Sequence, residues 1–321
     1  MTAPIIYRSD DPNAPVLSAA ATALGAVLQA CLCDGYGSGQ DAKPAAGWTL
    51  EFSDAATTKY AFRNNPATGT GFYFKCEPST TTTSGGVSYT TIHKFTGYEG
   101  MGGIDSGVNA FGGTSNQTLS VSNANSTQSR PWLLLADDRF FWLFVWYTQT
   151  TMPSAPVAGP LAYMIGVGDA VPFYADDTYF SGVWGVNSGY GIQTAATSTA
   201  TGSYFVVARN RLGALKATQP VAHTPPPCPI YSGASDIARE VGAEIFVRPP
   251  INDSTVYSFR GYLPGWHHTN AASRYFSNLE RLAGPNGQDF LLVASWNNLT
   301  NSTNNFAAAI DVSDHWRETI C

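Results

Sequence analysis

The residues in this chain whose types could do chemistry are the adjacent histidines His267-His268, the adjacent carboxylates Asp137-Asp138 and Asp176-Asp177, and the pair Cys31-x-Cys33. Two histidines on one zinc ion need side chains on the same side of the backbone, whereas neighbours on a strand point to opposite faces. No carboxylate lies beside them in sequence, so His267 and His268 are read as structural or surface residues. Glycoside cleavage needs two carboxyls about 5–9.5 Å apart, one with its pKa raised by burial. Adjacent aspartates within turns are usually exposed turn formers, and both Asp pairs are read that way. Cys-x-Cys alone makes half a zinc site. With Cys76, Cys228 and Cys321 the cysteine count is odd and the spacing irregular, as for reduced thiols.

The glycine-rich stretches Gly166-Val167-Gly168-Asp169 and Gly97–Gly107 do not lead from a phosphate loop into a helix. Gly-x-Ser-x-Gly, His-Glu-x-x-His and paired Cys-x-x-Cys are missing too. No residue is assigned a catalytic, cofactor-binding or metal-ligating role, and no cofactor is expected. Eight Trp and sixteen Tyr could stack on sugars, but the same residues fill cores and protein interfaces.

Composition points the same way. Only 12% of the 321 residues are charged, against about a quarter in ordinary globular chains. Gly (31), Pro (20) and aromatics (13%) are abundant, and 44% hydrophobic residues suffice for a core. A net charge of −6 and scattered Lys and Arg argue against nucleic acid as a partner. The start Met1-Thr2-Ala3-Pro4 lacks a basic, apolar signal sequence. The longest apolar stretches, Val16–Cys33 and Trp132–Tyr147, are interrupted by polar residues. The expectation is a soluble protein made in the cytoplasm and not inserted into a membrane. Without secretion, the five glycosylation sequons, such as Asn298-Leu299-Thr300, carry little weight.

Positioning elements follow from periodicity. Ala23, Leu24, Val27, Leu28, Cys31 and Leu32 form one face of a helix predicted over Ala19–Leu32, with Ser18 as N-cap and Gly35 as its stop. Period-two alternation predicts strands at Trp48–Phe52, Lys59–Arg63 and Phe72–Cys76, an antiparallel meander. Residues 77–129 read as a loop-rich insertion, with Ser79–Gly86 a loop by composition. Trp132–Ala136 and Phe140–Trp146 form a hairpin turned at Asp137-Asp138-Arg139, apolar on both faces and therefore covered on both, by this chain or a neighbour. Further strands are predicted at Ile5–Tyr7, Val87–Phe95, Ala162–Val167, Tyr179–Gly185, Tyr204–Ala208, Glu244–Arg248, Thr255–Arg260, Phe290–Ser295 and Phe306–Val312. The expected fold is mainly β with one N-terminal α-helix, in antiparallel sheets that are sandwich- or barrel-like. Its expected organisation is a helix-plus-β unit at 1–222, a Pro-rich linker at 223–229, and a smaller β unit at 230–321.

An ordered set of segments resembles a group of tailed-bacteriophage virion structural proteins about 300 residues long. The set begins with Tyr7–Ser9, Asp11–Leu17, Ala30–Ser38 and Ala45-Ala46-Gly47-Trp48. It continues with Tyr98–Met101, Asp105-Ser106-Gly107, Arg130–Asp137, Gly166–Asp169 and Arg260–Gly265. The chain departs from the pattern at Trp266-His267-His268 and in the 77–95 stretch. The resemblance implies a non-enzymatic virion component of the tail, baseplate or head surface, partnered by other virion proteins and by copies of itself, and transfers no catalytic residue. Low charge with abundant Tyr, Trp, Ser, Thr and Asn suits such interfaces. The rival readings are an adhesin binding host-surface glycan at the tail tip, and an enzyme degrading that glycan through Asp137 or Asp176 and a distant partner.

Overall fold

The structure, a computed structural model, describes residues 3–113, 117–153, 162–178, 180–186, 203–209, 213, 221–222, 246–247, 250–253, 258–269, 278–284, 287–296 and 305–318. Its elements are almost all strands in antiparallel sheets, with a single α-helix, and none of the described sheets closes into a barrel. Of the two expected forms, stacked sheets remain.

The central sheet has seven strands, in the spatial order Ile5–Arg8, Trp132–Ala136, Phe140–Val145, Tyr163–Asp169, Ser181–Val186, Ser203–Val207 and Val221–Ala222. Every residue of Trp132–Ala136, Phe140–Val145 and Tyr163–Asp169 is buried. The two-sided apolar pattern is thus covered by this chain itself. On one face Leu134, Phe141, Leu143 and Ile165 pack against Leu24, Val27 and Leu28 of the helix and against Phe62, Phe74 and Phe95. Those phenylalanines belong to a six-stranded sheet of Thr49–Asp54, Lys59–Arg63, Tyr73–Ser84, Val87–Tyr98, Phe111–Gly112 and Thr118–Ser120. On the other face Leu135, Trp142, Phe144 and Trp184 meet Trp266, Leu291, Val293, Ile310 and Trp316. These come from, or follow, a five-stranded sheet of Phe246–Val247, Trp266–Thr269, Asn305–Asp311, Asp289–Trp296 and Arg281–Ala283. Each large apolar side chain so covered contributes about 1.5–3 kcal/mol, which makes the central layer the main source of cohesion.

Residues 133–184 and 263–316 therefore share one core. They lie on either side of the Pro-rich segment 223–229, where the sequence predicts a boundary; that segment lies outside the described residues.

The helix is shorter than its periodicity predicts, Ala23–Gln29, and runs on into a π-helical turn at Ala30–Asp34. Gly35 N–H donates to Ala30 O at 2.7 Å, which closes the turn. All six residues of the expected apolar face are buried. Ser18 is not the helix cap: its Oγ accepts from Ala20 N–H at 3.1 Å in a local turn, and Thr22 holds the cap position without a side-chain bond.

The stretch read as a loop-rich insertion, in which Val87–Phe95 is the one strand expected, holds more strands than that. Tyr73–Ser84 and Val87–Tyr98, twelve residues each, form a long hairpin. It turns at Gly85-Gly86, with φ of 58° and 78°, the positive values that a two-residue hairpin turn needs. Ser79 to Ser88 are all exposed, so the hairpin's outer half leaves the body as a bare ribbon. Its Ser and Thr look like loop residues by polarity, yet Thr is β-branched and favours extended backbone.

Candidate functional site

The densest polar constellation among the described residues lies at the Asp137-Asp138-Arg139 turn, where the three layers meet. Asp137 Oδ1 accepts from the backbone N–H groups of Arg139 (2.8 Å) and Phe140 (2.7 Å), which folds the turn around an inward-facing carboxylate. The chain beyond the last strand of the five-stranded sheet closes on it. Trp316 Nε1 donates to Asp137 Oδ2 at 3.0 Å, Arg317 Nε donates to the same oxygen, and Arg317 Nη2 donates to Oδ1 at 3.1 Å. Arg317 Nη1 donates to the Asp169 carbonyl at 2.9 Å. From the opposite layer, Trp48 Nε1 donates to the Asp137 carbonyl at 2.8 Å.

Both members of the Asp137–Arg317 pair are buried, with side chains 8% and 6% exposed. Burial, the largest influence on Asp137, works to raise its pKa. The Arg317 charge and the donated hydrogen bonds outweigh it and hold the carboxyl below its usual range. Burial, reinforced by the nearby charge of Arg317, lowers the Arg139 pKa. Beside this pair, Asp169 accepts from Thr70 N–H and Thr70 Oγ1, each at 2.7 Å, and Thr70 Oγ1 lies 2.7 Å from Ser181 Oγ. Asp138, the partly exposed neighbour, accepts from Asn65 Nδ2 at 3.1 Å and from Thr68 Oγ1.

The second aspartate pair divides the same way. Asp176 is exposed, whereas Asp177 is buried and accepts from Arg260 Nε (2.6 Å) and Nη2 (2.8 Å). Both of these side chains have no exposure. Arg260 Nη1 also donates to the Arg209 carbonyl at 2.7 Å, and its guanidinium lies 4.6 Å from the Phe180 ring centre. One aspartate of each pair is thus no exposed turn former, which corrects the sequence reading. The structure gives Asp137 and Asp177 arginine partners. A carboxylate held ionised, as Asp137 is, does not serve as a general acid near neutral pH.

His267 is buried, with Nδ1 2.9 Å from the Gly265 carbonyl and its ring 4.9 Å from that of Phe290. His268 is the next position on the strand, paired with Ala308. Cys31, Cys33 and Cys76 are free thiols; Cys228 and Cys321 lie outside the described residues, as does Asn298-Leu299-Thr300. Burial pushes the Cys33 thiol up to about 12 and that of Cys76 higher still. Among the described residues no group of three His, Cys, Asp or Glu stands close enough to hold a metal ion.

Sequence reasoning passed over Arg317, Trp316 and Arg260, which share no local motif with the aspartates they hold. It also passed over His93, a fully buried imidazole whose Nδ1 lies 3.9 Å from Cys76 Sγ and whose Nε2 has no hydrogen-bond partner. Burial takes the His93 pKa down to about 3. The alternation of its strand, with His93 and Phe95 both buried, was the available signal.

A cleft of about 480 Å³ lies between the edge strands Ile5–Arg8 and Arg281–Ala283. Its cations are tied down as Arg8–Asp10, Lys43–Asp11 and Arg281–Asp289. No helix among the described residues is long and apolar enough to cross a membrane. No protein-family model matches the chain, and a search of curated proteins returns no significant match.

Proposed function

We propose that the chain is a non-enzymatic structural component of a tailed-phage virion, in the tail, the baseplate or on the head surface, and that it assembles through protein–protein interfaces. The observation that carries the assembly reading is the ribbon. From Ser79 to His93 the sequence has no Asp, Glu, Lys or Arg, and the outer ten residues are exposed. A two-stranded hairpin standing alone in water is marginally stable, so such an arm is best explained by a partner that covers it. The buried carboxylates support the same reading, because Asp137 ties layers together and Asp177 ties the strand Ser258–Tyr262 to the segment that leads into Ser181–Val186. The assignment to a phage particle rests on the ordered segments that resemble virion proteins.

The glycan-adhesin alternative calls for outward-facing aromatics. Trp48, Trp132, Trp142, Trp146, Trp184, Trp266 and Trp316 are buried, and Tyr174, at 37%, is the most exposed aromatic among the described residues. The test is mass spectrometry of purified particles followed by cryo-electron microscopy. The expected result is stoichiometric presence and density at a symmetric position against other particle proteins. Absence from the particles refutes the proposal; density only at an exposed distal tip refutes it in favour of the adhesin.

A further inference from the structure

The two strands of the ribbon have different outer edges. The outer edge of Val87–Tyr98 is occupied up to the ribbon's base. Tyr89 bridges to Ala20, Thr90 N–H donates to Ala19 O (2.7 Å), Val121 N–H donates to Thr91 O (2.9 Å), and Ile92–Lys94 pair with Thr118–Ser120. The outer edge of Tyr73–Ser84 is paired with Tyr60–Arg63 only as far as Cys76. Beyond that, no strand among the described residues lies beside Ser79–Ser84. This is a free edge of six residues, about 20 Å long.

Three other edges among the described residues are guarded. Along Ile5–Arg8, Lys43 Nζ donates to the Ile6 carbonyl (3.1 Å), while Asp11 Oδ2 (2.8 Å) and Tyr36 OH (3.3 Å) accept from Arg8 N–H. The edge strand Arg281–Ala283 carries the Arg281–Asp289 ion pair. Thr49–Asp54 is broken by a bulge between Leu50 and Phe52. Charge, capping and bulges are the usual means of keeping edges from pairing. Ser79–Ser84 has neither charge nor an edge cap, and Thr80-Thr81-Thr82-Thr83 is a run of β-formers.

We propose that the free edge Ser79–Ser84 pairs antiparallel with the same edge of a second copy of this chain, around a two-fold axis at Thr82. The proposal builds on the assembly reading and names the partner. Two arguments select a second copy. Each chain carries a net charge of −6, so copies repel unless they meet on a neutral surface that holds the bodies apart, and the ribbon is such a surface. The edge is also chemically uniform, so it complements itself, as a two-fold interface requires.

The register follows from hairpin geometry. In a two-residue hairpin the residues flanking the turn, here Ser84 and Val87, form a hydrogen-bonded pair. Thr82 and Tyr89 are paired two positions further in and repeat that inward bonding. Thr81 and Thr83 therefore direct their N–H and C=O groups to the open edge. A two-fold at Thr82 sets Thr81 of each copy opposite Thr83 of the other and satisfies all four residues. Thr82 then faces Thr82 as a non-hydrogen-bonded pair with Cα atoms about 4.5 Å apart, within disulfide range.

The test uses the full chain. Sedimentation and light scattering across micromolar concentrations are expected to give twice the 34.2 kDa chain mass. The double variant Thr81→Lys/Thr83→Lys places like charges opposite one another. It should weaken association at least tenfold while melting at the wild-type temperature, since the exposed positions carry no core. Under mild oxidation Thr82→Cys should form a covalent dimer. Ser79→Cys, whose two copies would lie about 20 Å apart, should not, and neither should the wild type. A monomeric wild type, or a dimer that survives the lysines and gives no Thr82→Cys cross-link, overturns the proposal. Neither outcome bears on whether the chain is present in particles, which mass spectrometry decides separately.

Discussion

Replacing Asp137 by Asn should be among the most damaging conservative changes in the molecule. The amide keeps the shape but loses the charge and turns one accepting oxygen into a donor, leaving Arg317 cationic and buried with only neutral acceptors, the amide oxygen and the Asp169 carbonyl at 2.9 Å. Removing one member of a buried ion pair costs about 3–5 kcal/mol. Trp316 Nε1 and the two turn N–H groups lose a charged acceptor as well. The expected loss is about 4 kcal/mol, a large share of the 5–15 kcal/mol typical of a folded domain. Asp138→Asn is the internal control. Its carboxylate is 30% exposed, its side-chain hydrogen-bond partners are neutral and its ion pair with Arg139 is long, at 3.8 Å, and partly exposed, so the expected cost is under about 1 kcal/mol. Urea unfolding followed by tryptophan fluorescence reads both. A double-mutant cycle with Arg317→Met then isolates the pair, because removing both charges should cost less than the sum of the single changes. An Asp137→Asn cost below about 1 kcal/mol, or strict additivity in the cycle, would refute the view that this carboxylate ties the layers together.

His93 should give the protein an acid sensitivity above the range where carboxylates titrate. Its pKa is about 3 in the fold and about 6.5 in the unfolded chain, so below pH 6.5 the unfolded state gains a proton that the folded state refuses. Stability should therefore fall with pH over that window, by about 2 kcal/mol between pH 7 and 5. His93→Leu should remove that slope, as measured by urea midpoints at each pH; an unchanged slope would assign it elsewhere. Gly265 has φ 64° and sits where a Cβ would lie 2.3 Å from Trp316 Cε3. Gly265→Ala should thus lose about 3 kcal/mol from backbone strain and overpacking together, and a loss under about 1 kcal/mol in the same assay would mean that the junction yields.

Local pattern was a good guide wherever one strand or one helical face decided the outcome. Lys59–Arg63 forms as the alternation predicts. The two-sided apolar hairpin gave away a doubly covered layer before any partner was known. The outer half of the ribbon was missed because of Thr. Thr80–Thr83 is polar enough to pass for a loop, and only its β-branching favours a strand. Composition-based reading weighs polarity first, so it missed the one arm that leaves the body. The helix fell short because its first predicted turn is held elsewhere: Ala19 N–H donates to Ser126 O, and Ala19 O accepts from Thr90 N–H.

The buried ion pairs were beyond local reading for a different reason. Asp137 and Arg317 are 180 positions apart, and Asp177 and Arg260 are 83 apart, so no spacing rule links them. A signal was nonetheless present in the burial around the turn. When Trp132–Ala136 and Phe140–Val145 are buried on both faces, the residues that reverse the chain between them start deep in the protein. An aspartate at the first position of that reversal accepts from the N–H groups two and three residues on, here Arg139 and Phe140, and so stays under cover, while the next one turns outward. A carboxylate buried that way requires a cation. With only 17 Lys and Arg in the chain, few were free to supply it. Scarcity of charge, which suits interfaces, thus also makes each buried charge a specific tether.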